Sequence, residues 1–354
     1  MQAPRKESVL VYGANGYTAQ LFFPRLRELG IDAIAAGRNA EAVRKVANRF
    51  GHSHRVFALD DPAALDREIC AARLLLNAAG PYTRTARPLM DACLRQRVDY
   101  LDLAGELEPL TYAADSGRTA RELGVMLLPA IGFDVVPSDC LAAHLAARLP
   151  GAERLVLSIS ASNLLSRGSA ATFVEHAGTY VHVRRDGALE PIRFRTQTRF
   201  ADFGNGERPT IAVSWGDLVT AYRSTGIRNI EVYFEATAFR WFAVTANQYW
   251  GWALRGGAVK SWLNELTRIL PEGPSEAERL GESSVIVGEV SRGSERRRAR
   301  LVVPEAYTFT AEIGCRVIET VLQGRRRPGF QTPAGLLGAD FVLGSPRVSR
   351  EDLE

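Results

Sequence analysis

Short apolar runs punctuate the first 140 residues: Val9–Tyr12, Ala33–Ala36, Val56–Leu59, Leu74–Asn77, Tyr100–Leu103 and Val125–Leu128. Between them lie longer amphipathic stretches, Ala40–Phe50, Pro62–Ala71, Arg87–Arg95 and Pro109–Leu123. Near-continuous apolar strands must be buried on both faces, so this alternation predicts a parallel sheet covered by helices on both sides. The fold class expected is α/β, with a Rossmann-like doubly wound sheet over residues 1–140. Pro24 falls inside the first helix, where loss of one N–H predicts a possible kink. Pro88 is expected in the first turn of its helix.

After about Leu149 the period shortens to two. Ile192, Phe194, Thr196, Thr198 and Phe200 alternate with Arg193, Arg195, Gln197 and Arg199, and Ile230–Ala236 repeats the pattern. Ser284–Val290 and Arg298–Val303 are similar and are separated by Gly293-Ser294. Such alternation predicts half-buried antiparallel strands. A second α+β domain on a largely antiparallel sheet is therefore expected over 141–320, for substrate or for pairing with a second copy. Phe239–Leu270 reads as a helical insertion and Tyr307–Gly324 as a last helix. Residues 321–354 form a C-terminal segment.

A chain of 354 residues is long enough for two domains with a sizeable core. A net charge of +4 is small for this length and suggests no nucleic-acid partner. The triplets Arg296–Arg298 and Arg325–Arg327 read as solvated surface. Cys70, Cys93, Cys140 and Cys315 form no CxxC pair and read as buried reduced thiols. The N-terminal "MQAPRKES" has no apolar core, and the aromatic run Trp241–Leu254 is too short to span a bilayer. A cytoplasmic location without a membrane span follows as an expectation. The five histidines lack metal spacing, so no metal is expected. His144 shares a helix face with Leu141 and Leu145 and reads as a core histidine.

The first strand ends in Gly13-Ala14-Asn15-Gly16, and a helical pattern follows at once. A strand that must turn tightly and start a helix with its first amides outward needs residues without a Cβ. Gly13 permits the turn, and Gly16 lets a pyrophosphate approach amides that carry the positive end of the helix dipole. Ala19 supplies the small residue that lets helix and strand pack closely. The spacing is GxxGxxA, and the strand before it and the helix after it supply the context that the reading requires. Asn15, Tyr17 and Thr18 complete the turn.

The second strand ends in Ala36-Gly37-Arg38-Asn39. A carboxylate here would hydrogen-bond ribose hydroxyls, whereas a guanidinium can pair with a 2′-phosphate. Arg38 therefore favours NADP(H) over NAD(H), with a surface residue opening the next helix as the alternative. Asp60 could contact adenine or cap the helix ahead of Pro62. Ala79, Gly80 and Pro81, after the fourth strand, keep the backbone close to the cofactor.

Five segments, "YGANGYTA", "AAGRN", "NAAGPY", "YLDLAGE" and "GFDVVPSD", occur in order. With "SRGSAATFVE", "SWGDLVTAYRSTGIRNIEVYF" and "PGFQTPAGLLGADF" they resemble the saccharopine dehydrogenase-like NAD(P)-binding oxidoreductases, a group that includes trans-acting enoyl reductases. The resemblance implies hydride transfer to a C=N or conjugated C=C bond. It also implies a C-terminal segment returning toward the first domain, and two domains closing over nicotinamide and substrate. A carrier-bound acyl or polyketide-like chain is one alternative substrate, and a non-catalytic NADP-binding or redox-sensing protein is another reading. A tricarboxylate substrate would call for convergent cations, for which Arg84, Arg87, Arg167 and Arg223 are the available residues. Aromatic residues around Trp241, Phe242, Tyr249, Trp250 and Trp252 suggest instead an apolar pocket wall, a homodimer contact or a helix packed on its own sheet.

Reduction needs a proton as well as a hydride. Tyr82, Asp102 and Glu106 follow the fourth and fifth strands and are the candidate catalytic residues; packing, capping or structural hydrogen bonds are their competing roles. Asp134, in "GFDVVPSD", is a substrate-side candidate, while Ser138 or Asp139 suits an N-cap. Trp215, Asp217 and Tyr222 join the substrate candidates through the resemblance.

Overall fold

The computed structural model describes residues 8–161, 166–167, 174, 180–192, 198–237, 240–241, 259, 263, 265, 267, 269 and 272–353. The chain divides into two compact units: Met1–Val136 with Tyr307–Leu337, and Pro137–Ala306 with Gly338–Glu354. Strands and helices are numbered below in chain order over the described residues.

The first unit is built on β1 (Ser8–Tyr12), β2 (Asp32–Gly37), β3 (Ser53–Val56), β4 (Leu74–Asn77), β5 (Asp99–Asp102), β6 (Met126–Leu128) and β15 (Gly329–Phe330). Their spatial order is β3-β2-β1-β4-β5-β6-β15, and every pairing is parallel. The order reverses between β1 and β4, the crevice where open α/β sheets bind ligands. Val9, Leu10, Val11 and Leu74–Leu76 are fully buried, as central strands covered on both faces must be.

Helices α1 (Tyr17–Glu28), α2 (Ala40–Phe50), α3 (Pro62–Ile69), α4 (Tyr82–Gln96), α5 (Leu107–Asp115) and α6 (Gly117–Glu122) connect these strands. Each of the first two buries one apolar stripe: Ala19, Phe22, Phe23 and Leu26 on α1, and Val43, Val46 and Ala47 on α2. α1 runs unbroken through Pro24, whose ring points outward. Pro88 lies inside α4 rather than in its first turn, because α4 begins five residues earlier than the Arg87–Arg95 pattern indicated. Pro109–Leu123 is two helices, α5 and α6, meeting at Ser116. β3 is an exposed edge strand lying N-terminal to the apolar run Val56–Leu59; being at the edge, it has little to bury.

The last long helix, α10 (Ala306–Leu322), lies almost wholly in this unit rather than in the second domain. Its buried face includes Phe309, Ile313, Val317 and Val321, and Gly314 fits against the Phe22 ring of α1. The unit boundaries therefore fall after Val136, Ala306 and Leu337, not at 140 and 320.

The triplet Arg325–Arg327 is a clamp, not a solvated patch. Arg326 binds both carboxylate oxygens of Asp99 at 2.7 and 2.8 Å and donates to the Gly124 carbonyl. Arg325 donates to the carbonyls of Leu336 and Leu337, and Arg327 to Gln331 and Gly335. These bonds tie the segment that supplies β15 to the buried end of β5.

The second unit carries a largely antiparallel sheet, with β7 (Arg154–Ser160), β10 (Thr198–Asp202), β11 (Glu207–Ala212), β12 (Asn229–Glu235), β13 (Ser283–Arg292), β14 (Glu295–Pro304) and β16 (Ser349–Leu353). The order is β10-β11-β12-β7-β13-β14-β16, and the central β12–β7 pair is parallel. β8 (Val181–Arg185) and β9 (Ala188–Ile192) form a hairpin beside β12. Gly293 and Ser294 are the two-residue turn between β13 and β14. One sheet face is apolar, where α7 (Val136–Arg148) sets Leu141 and Leu145 against β13. The other carries ion pairs from Glu231 to Arg154 and Arg199, and from Glu289 to Arg199, Arg296 and Arg298.

The alternation expected across Ile192–Phe200 spans the end of β9 and the start of β10, and 193–197 lie outside the described residues. So do Phe242, Tyr249, Trp250 and Trp252, most of the expected Phe239–Leu270 insertion, and most of "SRGSAATFVE". Cys70 is exposed, while Cys93, Cys140 and Cys315 are buried and free. His144 is not a core residue: its ring lies half-buried, 2.8 Å from the Asp352 carboxylate. Ser138 and Asp139 lie within the first turn of α7, three and four residues past the position that would cap it, and Asp139 accepts from the Ser224 hydroxyl at 2.7 Å. Among the described residues, no helix is long and apolar enough to cross a membrane, and no His, Cys, Asp and Glu group could hold a metal.

Candidate functional site

The turn after β1 has the geometry that its glycines indicated. The Gly13 and Ala14 amides both reach the Ala36 carbonyl, at 2.9 and 3.0 Å, and the Gly16 amide returns to the Gly13 carbonyl at 2.8 Å. Gly13 has φ +84°, and a Cβ there would lie 2.7 Å from the Ala79 Cβ and 2.8 Å from its backbone. Gly16 is the N-cap of α1 and offers no side chain to its amides. The first-turn amides of α1 thus open onto a backbone cradle bounded by Ala79, a form that fits a pyrophosphate. Asn15 is exposed and Tyr17 and Thr18 are half-buried; Tyr17 stands edge-on to Tyr307 of α10, with ring centroids 5.1 Å apart.

At the end of β2, Arg38 is exposed and makes no ion pair with a described residue. Asn39, not Arg38, opens α2 by accepting from the Ala42 amide at 3.0 Å. Asp60 is exposed and is not the cap of α3. That role belongs to Asp61, which accepts from the amides of Ala63 and Ala64. Arg38 and Asp60 both act on the Tyr12 hydroxyl. Burial first, with Asp60, raises it to about 12, and Arg38 opposes the rise. The two candidates for the adenosine end therefore both act on one tyrosine.

The carboxyl ends of β4, β5 and β6 are joined by a buried polar network. Asn77, fully buried, donates from Nδ2 to Thr85 and to the Tyr100 hydroxyl, both at 3.1 Å, and its Oδ1 accepts from the Ala79 amide. Tyr100 donates to Asp102 Oδ2 at 2.8 Å. Asp102 Oδ1 accepts from the amides of Ala104 at 3.0 Å and Ala130 at 2.8 Å. Burial raises the Asp102 pKa, and these three bonds oppose the rise. Neither Tyr100 nor Asn77 was singled out from sequence. Asn77 closes β4 as Asp102 closes β5, and a polar residue ending each of two adjacent apolar strands is the signal that could have found Asn77; Tyr100, inside β5, carries no such mark.

Three titratable side chains gather above this network. Tyr82 begins α4, and its amide donates to Glu106 Oε1 at 3.2 Å. Glu106 is 7% exposed, and its Oε2 is buried without a partner among the described residues. Burial lifts the Glu106 pKa to about 7; hydrogen bonds from Tyr82 and its own amide lower it, and Asp134 and Asp102 push it upward. Asp134, partly exposed, lies against Gly105: a Cβ on that glycine would meet its Oδ2 at 2.7 Å. Burial raises Asp134 to about 7 as well. Burial and the carboxylates of Asp102, Glu106 and Asp134 push the Tyr82 hydroxyl well above its ordinary range. The Asp134 loop is anchored by Thr310 of α10, which accepts from the Phe133 amide at 3.0 Å.

The remaining candidates lie in the second unit. Asp217 opens α8 (Asp217–Thr225) and is fully buried. Trp215 is half-buried with its ring edge-on to Phe234, and Tyr222 lies 4.2 Å from the Arg184 guanidinium. Of the four arginines proposed as convergent cations, Arg87 instead stacks on Tyr112 at 5.0 Å.

Comparison with known proteins bears on the domain and the fold. The family model of the saccharopine dehydrogenase NADP binding domain matches residues 9–127, the span from β1 to β6. The fold resembles that of an apo saccharopine dehydrogenase (L-Glu forming) from Saccharomyces cerevisiae. The TM-score is 0.67 at 11% identity, covering 99% of this chain and 100% of that one. A trans-acting enoyl reductase of Mycobacterium ulcerans is 28% identical over 232 residues, covering 60% of this chain and 55% of that protein. One from Mycobacterium tuberculosis is 33% identical over 145 residues, covering 39% and 35%. The chain spans about half or less of the length of these relatives. Its first unit is a nicotinamide-dinucleotide-binding domain. Residues 9–127 thus match that domain family, and the chain as a whole has a fold like that of saccharopine dehydrogenase.

Proposed function

We propose that the chain is an NADP(H)-dependent oxidoreductase that reduces a conjugated C=C or a C=N bond. The observation that carries this reading is the partnerless buried Oε2 of Glu106 beside Asp134. Both carboxyls are held near neutrality at the strand ends where a Rossmann domain presents the nicotinamide end of its cofactor. The bound cofactor would supply a hydride to one atom of the double bond. Glu106 or Asp134, protonated about half the time near pH 7, holds the proton that the other atom must receive. Tyr82, raised far above neutrality, stays protonated and serves as a hydrogen-bond donor.

Gly13, Asn15, Gly16, Tyr17 and Thr18 would bind the pyrophosphate, and Ala79, Gly80 and Pro81 would form the opposite wall. Arg38, exposed and without an ion pair among the described residues, suits the 2′-phosphate of NADP(H), with Asp60 near the adenine. The names of the mycobacterial relatives favour an enoyl substrate over an imine. Asp134 in the first unit, and Trp215, Asp217 and Tyr222 in the second, are each kept as proposed substrate residues.

NADPH consumption, followed by nicotinamide absorbance with enoyl thioesters and with cyclic imines, tests this reading. Turnover of either class, falling at least about a hundredfold in Glu106→Gln with NADPH affinity retained, supports it. Failure of the full chain to bind NADPH overturns it.

A further inference from the structure

We propose that Asp102 is a positioning residue which, through Tyr100 and Asn77, sets three loops in register so that Tyr82, Glu106 and Asp134 meet at one point. This deepens the reading above and rests on its assignment of Glu106 and Asp134.

Asp102 is fully buried, and both of its oxygens are engaged within the protein. Oδ2 accepts from Tyr100, and Oδ1 accepts from two backbone amides. Those amides belong to different loops. Ala104 precedes Glu106 by two residues, and Ala130 precedes Asp134 by four. One carboxylate oxygen therefore fixes the spacing between the segments that carry the two near-neutral carboxyls. The third loop is reached through Tyr100, whose hydroxyl accepts from Asn77 while donating to Asp102. Asn77 holds the Ala79 amide, and Thr85, which it also touches, donates to the Ala79 carbonyl at 2.6 Å. Both polar ends of Ala79 are thus fixed three residues before Tyr82.

Two features indicate that the register is imposed. Ala130 has φ +60°, a left-handed conformation unusual for alanine that costs on the order of 1 kcal/mol, and its amide is the one held by Asp102. Gly105, between Ala104 and Glu106, has no side chain, and only its bare Cα lets the Asp134 carboxyl sit over it. A shift of either loop by even half a residue would break that contact. Buried, fully satisfied networks of this kind specify one arrangement more than they add stability.

Amide hydrogen exchange on the unaltered full chain gives the first test. The Ala104 and Ala130 amides should exchange as slowly as Leu101 in the centre of β5. Exchange at exposed-loop rates would overturn the proposal. The second test is Tyr100→Phe, which removes one oxygen and keeps the ring. Carbon-13 carboxyl titration, with Glu106→Gln and Asp134→Asn identifying the two signals, reads the site directly. In Tyr100→Phe both midpoints should move by about half a pH unit or more as the loops relax. Exchange at Ala104 and Ala130 should quicken at least about tenfold relative to Leu101. Unmoved midpoints in a variant that merely melts lower would make the network structural only and refute the positioning role. NADPH titration of the same samples separates the two claims, because absent cofactor binding overturns the oxidoreductase reading and leaves the exchange data to judge Asp102.

Discussion

Gly13 and Ala79 touch so closely that a Cβ on residue 13 would stand 2.7 Å from the Ala79 Cβ. The turn after β1 and the loop after β4 are therefore one surface, and the two glycines of the turn should fail differently. Gly13→Ala meets both a left-handed backbone and an immovable neighbour, and should cost about 2–3 kcal/mol in urea denaturation. Gly16 has φ −68° and ψ 149°, which any residue can adopt. Gly16→Val should stay within about 1 kcal/mol of the parent while losing dinucleotide binding, because its side chain occupies the cradle. Equal stability loss in the two variants, or retained NADPH fluorescence enhancement in Gly16→Val, would contradict this division.

Arg38 is exposed, lies beyond the end of β2 and has no described ion-pair partner to lose. Arg38→Asp should leave the melting temperature unchanged and weaken NADPH at least about tenfold more than NADH, or about 1.4 kcal/mol, in calorimetry. Parallel weakening of both cofactors would remove the 2′-phosphate contact.

The parts of the molecule legible in its sequence are those where backbone geometry demands a residue type. Gly13 marks the turn because a Cβ there would meet Ala79, and Gly293 marks a hairpin because its φ of +55° favours a residue without a Cβ. The covered parallel sheet follows from apolar runs such as Leu74–Leu76 that only a doubly covered strand buries, whereas the order of its strands does not. Roles created by distant partners leave no local trace. Arg326 looks like surface until Asp99, 227 positions earlier, is placed beside it. Asp102 looks like an acid until Ala104 and Ala130 are seen to occupy it. Asp60 and Asp61 are equal as caps on paper, and only the path of the chain into Pro62 selects the second.

The Asp99–Arg326 pair gives a stability prediction. The Asp99 side chain is 2% exposed, and Arg326 provides its bidentate bond, with Arg73 more distant at 3.6 Å. Arg326→Ala leaves a buried carboxylate short of its main cation and should destabilise by about 3 kcal/mol. Arg327→Ala, removing one partly buried and one exposed bond and leaving no buried charge behind, should cost less, about 1 kcal/mol. Urea denaturation monitored by tryptophan fluorescence compares the two; equal effects would mean that the triplet acts through general charge.

The carboxyl cluster makes stability depend on pH in an unusual direction. Glu106 has a folded pKa of about 7 against an ordinary value of 4.5, so between those limits the folded chain keeps a proton that the unfolded chain has lost. Stability must then fall as pH rises through this window and level off above it, by an amount on the order of 3 kcal/mol at most. Removing this charge removes the Glu106 share of the slope and leaves that of Asp134, whose pKa is also raised to about 7. Glu106→Gln should match the parent near pH 4, where both carry a neutral group, and exceed it by about 1–3 kcal/mol at pH 8. Its carbonyl oxygen can still accept from the Tyr82 amide, so that bond does not offset the gain. A new amide N–H set where Oε2 is buried reduces the gain somewhat. Denaturation midpoints of both proteins from pH 4 to 8 check the sign, and a variant less stable than its parent at pH 8 would show that Glu106 is ionised at little cost and poorly suited to hold the transferred proton.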